Sequence, residues 1–481
     1  MSLSRLIKNE LIKIFKKKSL YIAFIIVLLA MILMNCMNRF AYNGHNNQSN
    51  IESLERNLAN FNPDNPSDTS IYVELKTEID TAKLIKQYGT DSWQATIINS
   101  EMSDILTQLN TYQYGIGKND EKYLETKKEY DAIIQKLDSN DWKYFASSER
   151  EKIVSSIAQL ENQKANTIDR VELGKIEEQI EDLKVQKQVI DWRLEKEISY
   201  AKSDLNKMLM RYPTYVKNVR ELEQSTEKEA KAEYNHNLEN AKLVEYSIEH
   251  GVNVNKSDDL RGSLMNFFSS NSIFIIILII IVAGTIISEE FNKGTIKLLL
   301  VRPYQRWKIV LAKFIACFIT LLITIIVLFG IQFAISSILY GLDSLKTPAV
   351  IYNFNTGSVE TMPIIAYLGI TLLAKLPMLI LTMLIAFMLG GVFNNSALGI
   401  IISLLGFMSS DMINMMATEY QLSWMKFFIT PNWDLTPYLF GGIPQFTYTT
   451  FPFSVIVCLV YFVIMLGFTV YVFQKRNIKN I

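Results

Sequence analysis

Two ionisable residues, Lys375 and Asp411, stand inside long apolar runs where a charge is costly. Such groups in lipid pair with one another, line a polar cavity, or reach separately for the surface. Lys375 lies 17 residues before Val392, and Asp411 lies 14 after Ala397. On antiparallel helices joined near 394–396, both sit roughly 20–25 Å from the same face. We expect them to pair or to line a shared cavity, with separate snorkelling as the alternative. Other chemistries find little support. His45, His236 and His250 are isolated, without a second ligand at zinc-binding spacing. Cys36, Cys317 and Cys458 fall in apolar runs, so neither a disulfide framework nor a CxxC metal site is expected. Gly341 to Thr347 lacks the second glycine of a phosphate-cradling loop. The acidic and basic residues of the polar stretch read as solvated helix faces. No catalytic residue, metal or cofactor is expected.

A second concentration of informative residues runs from Ser288 to Lys308. An apolar run ends at the pair Glu289 and Glu290. Gly294 permits the left-handed turn that ends a helix. Thr295, Ile296, Lys297, Leu298, Leu299, Leu300 and Val301 suffice for one or two helical turns, which Pro303 stops. Trp307 and Lys308 then anchor the next run at an interface. The expectation is a small helix displayed between two spans, against the plainer reading of a basic connector.

The elements that must position these residues follow from composition. Of 481 residues, 49% are hydrophobic and 20% charged, with equal numbers of acids and bases. Residues 37–271 hold 30 Lys/Arg and 40 Asp/Glu, and the remainder holds 18 and 8. One acidic, polar half and one basic, apolar half exclude a single soluble globule and a nucleic-acid binder. Six runs are long enough for a bilayer core: 19–36, 267–288, 309–341, 363–392, 397–416 and 452–473. The third and fourth exceed one span and must tilt, bend or project. Arg5, Lys8, Lys13, Lys16, Lys17 and Lys18 precede the first run. Lys293, Lys297, Arg302, Arg306 and Lys308 separate the second and third, and Lys475, Arg476 and Lys479 follow the last. By the positive-inside rule both termini are cytoplasmic, and residues 37–266 form an extracellular domain. The first run ends Leu33-Met34-Asn35-Cys36, which suits neither signal cleavage nor lipidation, so it reads as an uncleaved anchor. Residues 1–18 place Leu3, Leu6, Ile7, Leu11, Ile14 and Phe15 at helical spacing, as in an interfacial amphipathic helix.

Around the segment 289–308 the chain resembles the ABC-2 type permeases, membrane subunits of ATP-binding-cassette exporters. Glu289, Glu290, Gly294, Thr295, Ile296, Lys297, Leu299, Leu300, Pro303 and Arg306 match that family's pattern in order. The N-terminal interfacial helix and six spans match its plan. The resemblance covers residues 1–36 and 267–481, and departs from it in the long insert. It implies an all-α polytopic fold in the plasma membrane, coupled through 289–308 to a separate ATPase subunit and paired with a second permease copy, identical or not. It implies no enzymatic activity in this chain, no cofactor and no nucleic acid. The cargo would be an amphipathic or hydrophobic peptide, antibiotic or lipid. The competing reading is a non-transporting membrane scaffold or receptor with an extracellular coiled coil.

Within the insert, apolar residues recur from Leu173 through Ile176, Ile180, Leu183, Ile190, Leu194, Ile198, Ala201, Leu205 and Met208 to Tyr212. This predicts one rod of roughly 60 Å with a stutter, ending at Pro213. Ile153, Ile157 and Leu160 would pack on it as a hairpin. Further helices are predicted at 71–87, 93–114, 121–138, 148–166 and 217–249. Residues 417–451 mix Trp, Phe and Tyr with three prolines, predicting short broken helices at the outer interface, re-entrant or lipid-facing.

Overall fold

The computed structural model describes residues 3–40, 47–115, 119–225, 228–251, 254, 259–269, 271–292, 305–393, 395–444, 446 and 448–475. Its chain divides into two compact units. The first is Met1–Tyr42, Leu222–Glu239 and Val254–Ile481, and the second is Asn43–Glu221 and Asn240–Asn253. Of the residues 37–266 read as one insert, 37–42, 222–239 and 254–266 fall in the first unit.

In the first unit, α1 (Leu3–Phe15) buries Leu6, Glu10 and Ile14 along one stripe. The long apolar helices are α2 (Lys18–Phe40), α13 (Ser272–Ile286) continued by α14 (Ser288–Asn292), α15 (Arg306–Tyr340), α16 (Ile364–Phe393) and α19 (Phe451–Lys475). These five are long and apolar enough to cross a membrane. The expected span 397–416 is instead two helices, α17 (Ser396–Met408) and α18 (Ser410–Glu419), bent by 40°. At the bend the Ser409 hydroxyl donates to the Leu405 carbonyl and that of Ser410 to Phe407. Among the described residues, five helices, or six with this bent pair as one span, are long and apolar enough to cross a membrane. At 35 residues α15 extends about 50 Å, well beyond a bilayer core.

Helix α13 is central, with Ile275, Ile276, Ile279, Ile280 and Ala283 essentially buried. It crosses α16 and α17 at glycines: a Cβ on Gly390 would lie 2.4 Å from the Gly284 carbonyl oxygen, and one on Gly399 would lie 2.9 Å from the Gly390 nitrogen. Small residues are what allow such backbone approach between apolar helices. Short α12 (Leu260–Met265) seats Leu260 and Leu264 in the same core, and its buried Arg261 donates to the Pro348 carbonyl at 3.1 Å. A buried polar knot joins α2, α12 and α15: Asn35 and Gln332 exchange amide hydrogen bonds, and Gln332 donates to Ser263 at 2.7 Å. One departure from the all-α expectation is an antiparallel hairpin before α16, β1 (Ala349–Asn353) and β2 (Ser358–Met362), in which Ile351 faces Glu360.

The second unit is a helical bundle. Its helices are α3 (Asn47–Leu58), α4 (Thr69–Tyr88), α5 (Trp93–Ile97) leading through a π turn into α6 (Ser103–Tyr114), α7 (Asp120–Asp138), α8 (Trp142–Asn166), α9 (Arg170–Glu195) and most of α10 (Asp204–Glu223). The later part of α11 (Lys228–His250) completes it. Trp93, Ile98, Leu137, Phe145, Ile153 and Ile190 fill one core, which includes the α8–α9 hairpin. The continuous rod does not form. It breaks between Glu195 and Asp204, where Glu197 is left-handed at φ 54°. Buried Arg193 holds the break by donating to the carbonyls of Ile198 and Ser199 and to Asn206, an arrangement a continuous helix forbids. The break turns Tyr200 into the core. Pro213 lies within α10 instead of ending it.

Candidate functional site

The most concentrated chemistry of the first unit lies where α1, α14 and the start of α15 meet. The Lys313 ammonium donates to Glu10 Oε2 at 2.7 Å, to Glu290 Oε1 at 2.9 Å and to the Ile286 carbonyl at 3.1 Å. Three N–H groups thus meet three acceptors, the full capacity of an ammonium. Lys13 bridges the same carboxylates, at 2.7 Å to Glu10 and 2.9 Å to Glu290. Lys17 pairs with Glu289 at 3.0 Å and donates to the Thr285 hydroxyl. The Lys313 side chain is 1% exposed, Glu10 7% and Glu290 11%, whereas Lys13 is 51%. Two carboxylates and two ammonium groups balance, with one ammonium reaching water. Burial pulls the Lys13 ammonium down, but its hydrogen bonds to Glu10 and Glu290 outweigh that and raise it.

This geometry fixes the two ends of the segment singled out in the sequence. Glu289 and Glu290 sit on α14, immediately before it. Arg306 opens α15 and donates to the Gln474 carbonyl at 2.8 Å, tying the end of α19 to the same place. Both chain ends therefore gather at one end of the bundle. Gly294, Thr295, Ile296, Lys297, Leu299, Leu300 and Pro303 lie outside the described residues. Glu290 points into the internal cluster, its side chain 11% exposed. Glu10 and Lys313 were missed as site residues. The signal was present, because Glu10 is the lone acid before Asn38 and sits between Leu6 and Ile14 on the apolar stripe.

The expected Lys375–Asp411 pair is not formed. Lys375, 6% exposed, pairs with Asp434 at 2.5 Å. Asp411 opens α18, is exposed, and has no ion pair or hydrogen bond among the described residues. The 409–410 bend redirects the helix that was to carry Asp411 past Lys375. Asp434 arrives from the aromatic segment, where the Thr436 amide and hydroxyl donate to its Oδ1 at 3.0 and 2.7 Å. That segment does form short broken helices, 3-10 turns at Ser423–Phe427 and Thr436–Gly441. Trp424 and Phe427 are exposed there, while Trp433 is buried in the core. Among the described residues no cluster of three or more His, Cys, Asp or Glu could hold a metal ion.

Residues 236–479 match the family described as Protein of unknown function (DUF2705). The chain is 28% identical over 241 residues to "Uncharacterized protein YhcI" of Bacillus subtilis, covering 50% of this chain and 75% of that one. It is 26% identical over 217 residues to "Uncharacterized membrane protein YdbK" of the same organism, covering 45% of this chain and 82% of that one. No solved structure matches. The family match begins within α11 and runs through α19, so it takes in Glu290, Lys313, Lys375 and Asp434 and leaves most of the second unit outside. Since it spans half of the sequence, the chain belongs to the DUF2705 family.

Proposed function

We propose that this membrane protein is the permease subunit of an ABC-2 type exporter, moving an amphipathic or hydrophobic cargo with ATP hydrolysed by a separate chain. One observation carries the reading: the buried cluster of Glu10, Lys13, Glu290 and Lys313 clamps both helices that flank residues 293–304. A segment that receives force from an ATPase needs rigid roots, and opposite charges paired in a largely buried site supply them. A connector without a mechanical role has no need of four balanced charges at its base. On this reading the termini and the segment are cytoplasmic, the second unit is extracellular, and a second permease copy completes the pathway in the plasma membrane.

The test is reconstitution with any ATP-binding-cassette ATPase found encoded beside this reading frame. The wild-type chain should bind that ATPase and raise its hydrolysis in liposomes. Gly294→Pro should insert normally yet lose the stimulation. Equal stimulation by wild type and Gly294→Pro, or no binding of any neighbouring ATPase, would refute the assignment.

A further inference from the structure

A cavity of about 350 Å³ lies within the first unit, between α11, β1, the start of α16 and the 3-10 turn Thr436–Gly441. Its wall is aromatic: Tyr352, Phe354, Tyr367 and Phe440 line it, with the Tyr367 and Phe440 rings within 7° of parallel at 6.4 Å. Glu239 of α11 brings a carboxylate into this wall. It has no ion pair or hydrogen bond among the described residues, and burial pushes its carboxyl above the ordinary range. The other charges nearby are accounted for. Lys375, one turn beyond the lining Thr371, is neutralised by Asp434, which Thr436 in turn holds. His236 sits on the exposed face of α11 at the rim.

A second feature marks the same place. Phe440 has φ 56°, a left-handed conformation that a bulky side chain adopts only when its surroundings impose it. The Phe354 amide donating to the Phe440 carbonyl at 2.8 Å is one such constraint, and the stack on Tyr367 is another. Backbone strain of this kind collects at ligand sites, where it fixes a side chain in place before the ligand arrives.

We propose that this cavity binds the cationic head of an amphiphile, with an alkylammonium group beside Glu239 and its carbon skeleton against Tyr367, Phe440 and Tyr352. The carboxylate supplies the opposite charge, and the ring faces attract the same cation while burying its methyl groups. The volume is at the lower end of small-molecule sites, enough for a head group and a short apolar extension. The ligand would bind whether or not the chain exports it, so the site stands apart from the transport reading.

The experiment uses the full chain in lipid nanodiscs with no ATPase present, and benzyltrimethylammonium as the probe. Its uncharged carbon isostere, neopentylbenzene, is titrated beside it, both followed by saturation-transfer NMR. The cation should bind about tenfold or more tightly than the isostere. Glu239→Gln should remove that preference, and Phe440→Leu should weaken the cation several-fold while keeping the preference. Equal binding of cation and isostere by the wild type would overturn the proposal, and that comparison needs no variant to fold. An unchanged cation affinity in Glu239→Gln with native circular dichroism would overturn it as well. Because no ATPase takes part, failure here leaves the permease reading untouched, and failure of ATPase stimulation leaves this site untouched.

Discussion

Replacing Lys313 with Met, similar in length and apolar, tests whether the cluster holds α1 to the bundle. The change removes the 1%-exposed ammonium and leaves Glu10 and Glu290 to share Lys13, whose side chain is 51% exposed. One buried carboxylate then lacks a full partner, and the Ile286 carbonyl loses its donor. Breaking a buried ion pair from one side typically destabilises by about 3–5 kcal/mol. Lys13→Met also leaves the two buried carboxylates one ammonium short, but at a half-solvated position that water can reach, so it should cost less than Lys313→Met. The double variant Glu10→Gln/Lys313→Met removes one charge of each sign and keeps the Lys13–Glu290 pair. It should be more stable than Lys313→Met alone by about 1–3 kcal/mol, the penalty of the stranded carboxylate being lifted. Reversible unfolding in mixed anionic and neutral micelles, followed by far-ultraviolet circular dichroism, measures the wild type, Lys13→Met, Lys313→Met, Glu10→Gln and the double variant. If Lys313→Met shifts the unfolding free energy by less than about 1 kcal/mol, the cluster does not anchor α1. If the two single effects add within about 0.5 kcal/mol in the double variant, Glu10 and Lys313 are not coupled.

The same unfolding assay separates Asp434 from Asp411. Lys375→Met and Asp434→Asn should be non-additive, whereas Asp411→Asn should change stability by less than about 0.5 kcal/mol; additivity of the first pair would count against the contact. Gly390→Ala should destabilise by about 1–3 kcal/mol, because its Cβ meets the Gly284 carbonyl oxygen at 2.4 Å. Gly467→Ala, with nothing within 4 Å, should be neutral or stabilising, and equal effects at the two sites would refute the close crossing. In the second unit, burial pushes the Asp191 carboxyl up, but hydrogen bonds from Arg150 and Lys187 win and hold it below the ordinary 3.8. Its folded value is depressed, so its stabilisation is full above pH 3.8 and is lost as pH falls through the folded value. Thermal unfolding of the full chain between pH 5 and 2 should show a smaller acid loss in Asp191→Asn than in wild type; identical pH profiles would count against the linkage.

What the sequence revealed and what it hid divide along physical lines. Apolar runs of span length showed the long membrane helices, because burial in lipid demands continuous hydrophobicity that no partner can replace. Helices at 71–87, 93–114 and 121–138 were equally legible from local periodicity. The break after Glu195 was not, since it depends on Arg193 finding carbonyls that exist only once the turn has formed. The apolar spacing carried on across the break because Ala201, one of its members, packs against the same core there. Asp434 was hidden for a similar reason: 59 residues separate it from Lys375, and spacing along one helix pair gave Asp411 the better geometry. The bend at 409–410 reverses that choice. Glu10 was overlooked because a charge in a basic flank reads as solvated, although its place between Leu6 and Ile14 argued for burial.

The ion pair between Glu10 and Lys313 spans 303 positions of sequence. During synthesis Glu10 leaves the ribosome first, and its partner follows only after the second unit and two further apolar helices have been made. At bacterial and eukaryotic elongation rates that interval is roughly 15–60 s. Throughout it, α1 carries an acid on the stripe it will later bury, so that stripe stays incompletely docked. The bundle's end then closes late, when Lys313 arrives and Glu10, paired until then only with Lys13 of its own helix, gains its buried partner. A nascent chain arrested before Lys313 should therefore leave its N-terminal helix open to protease, and one arrested well beyond it should not.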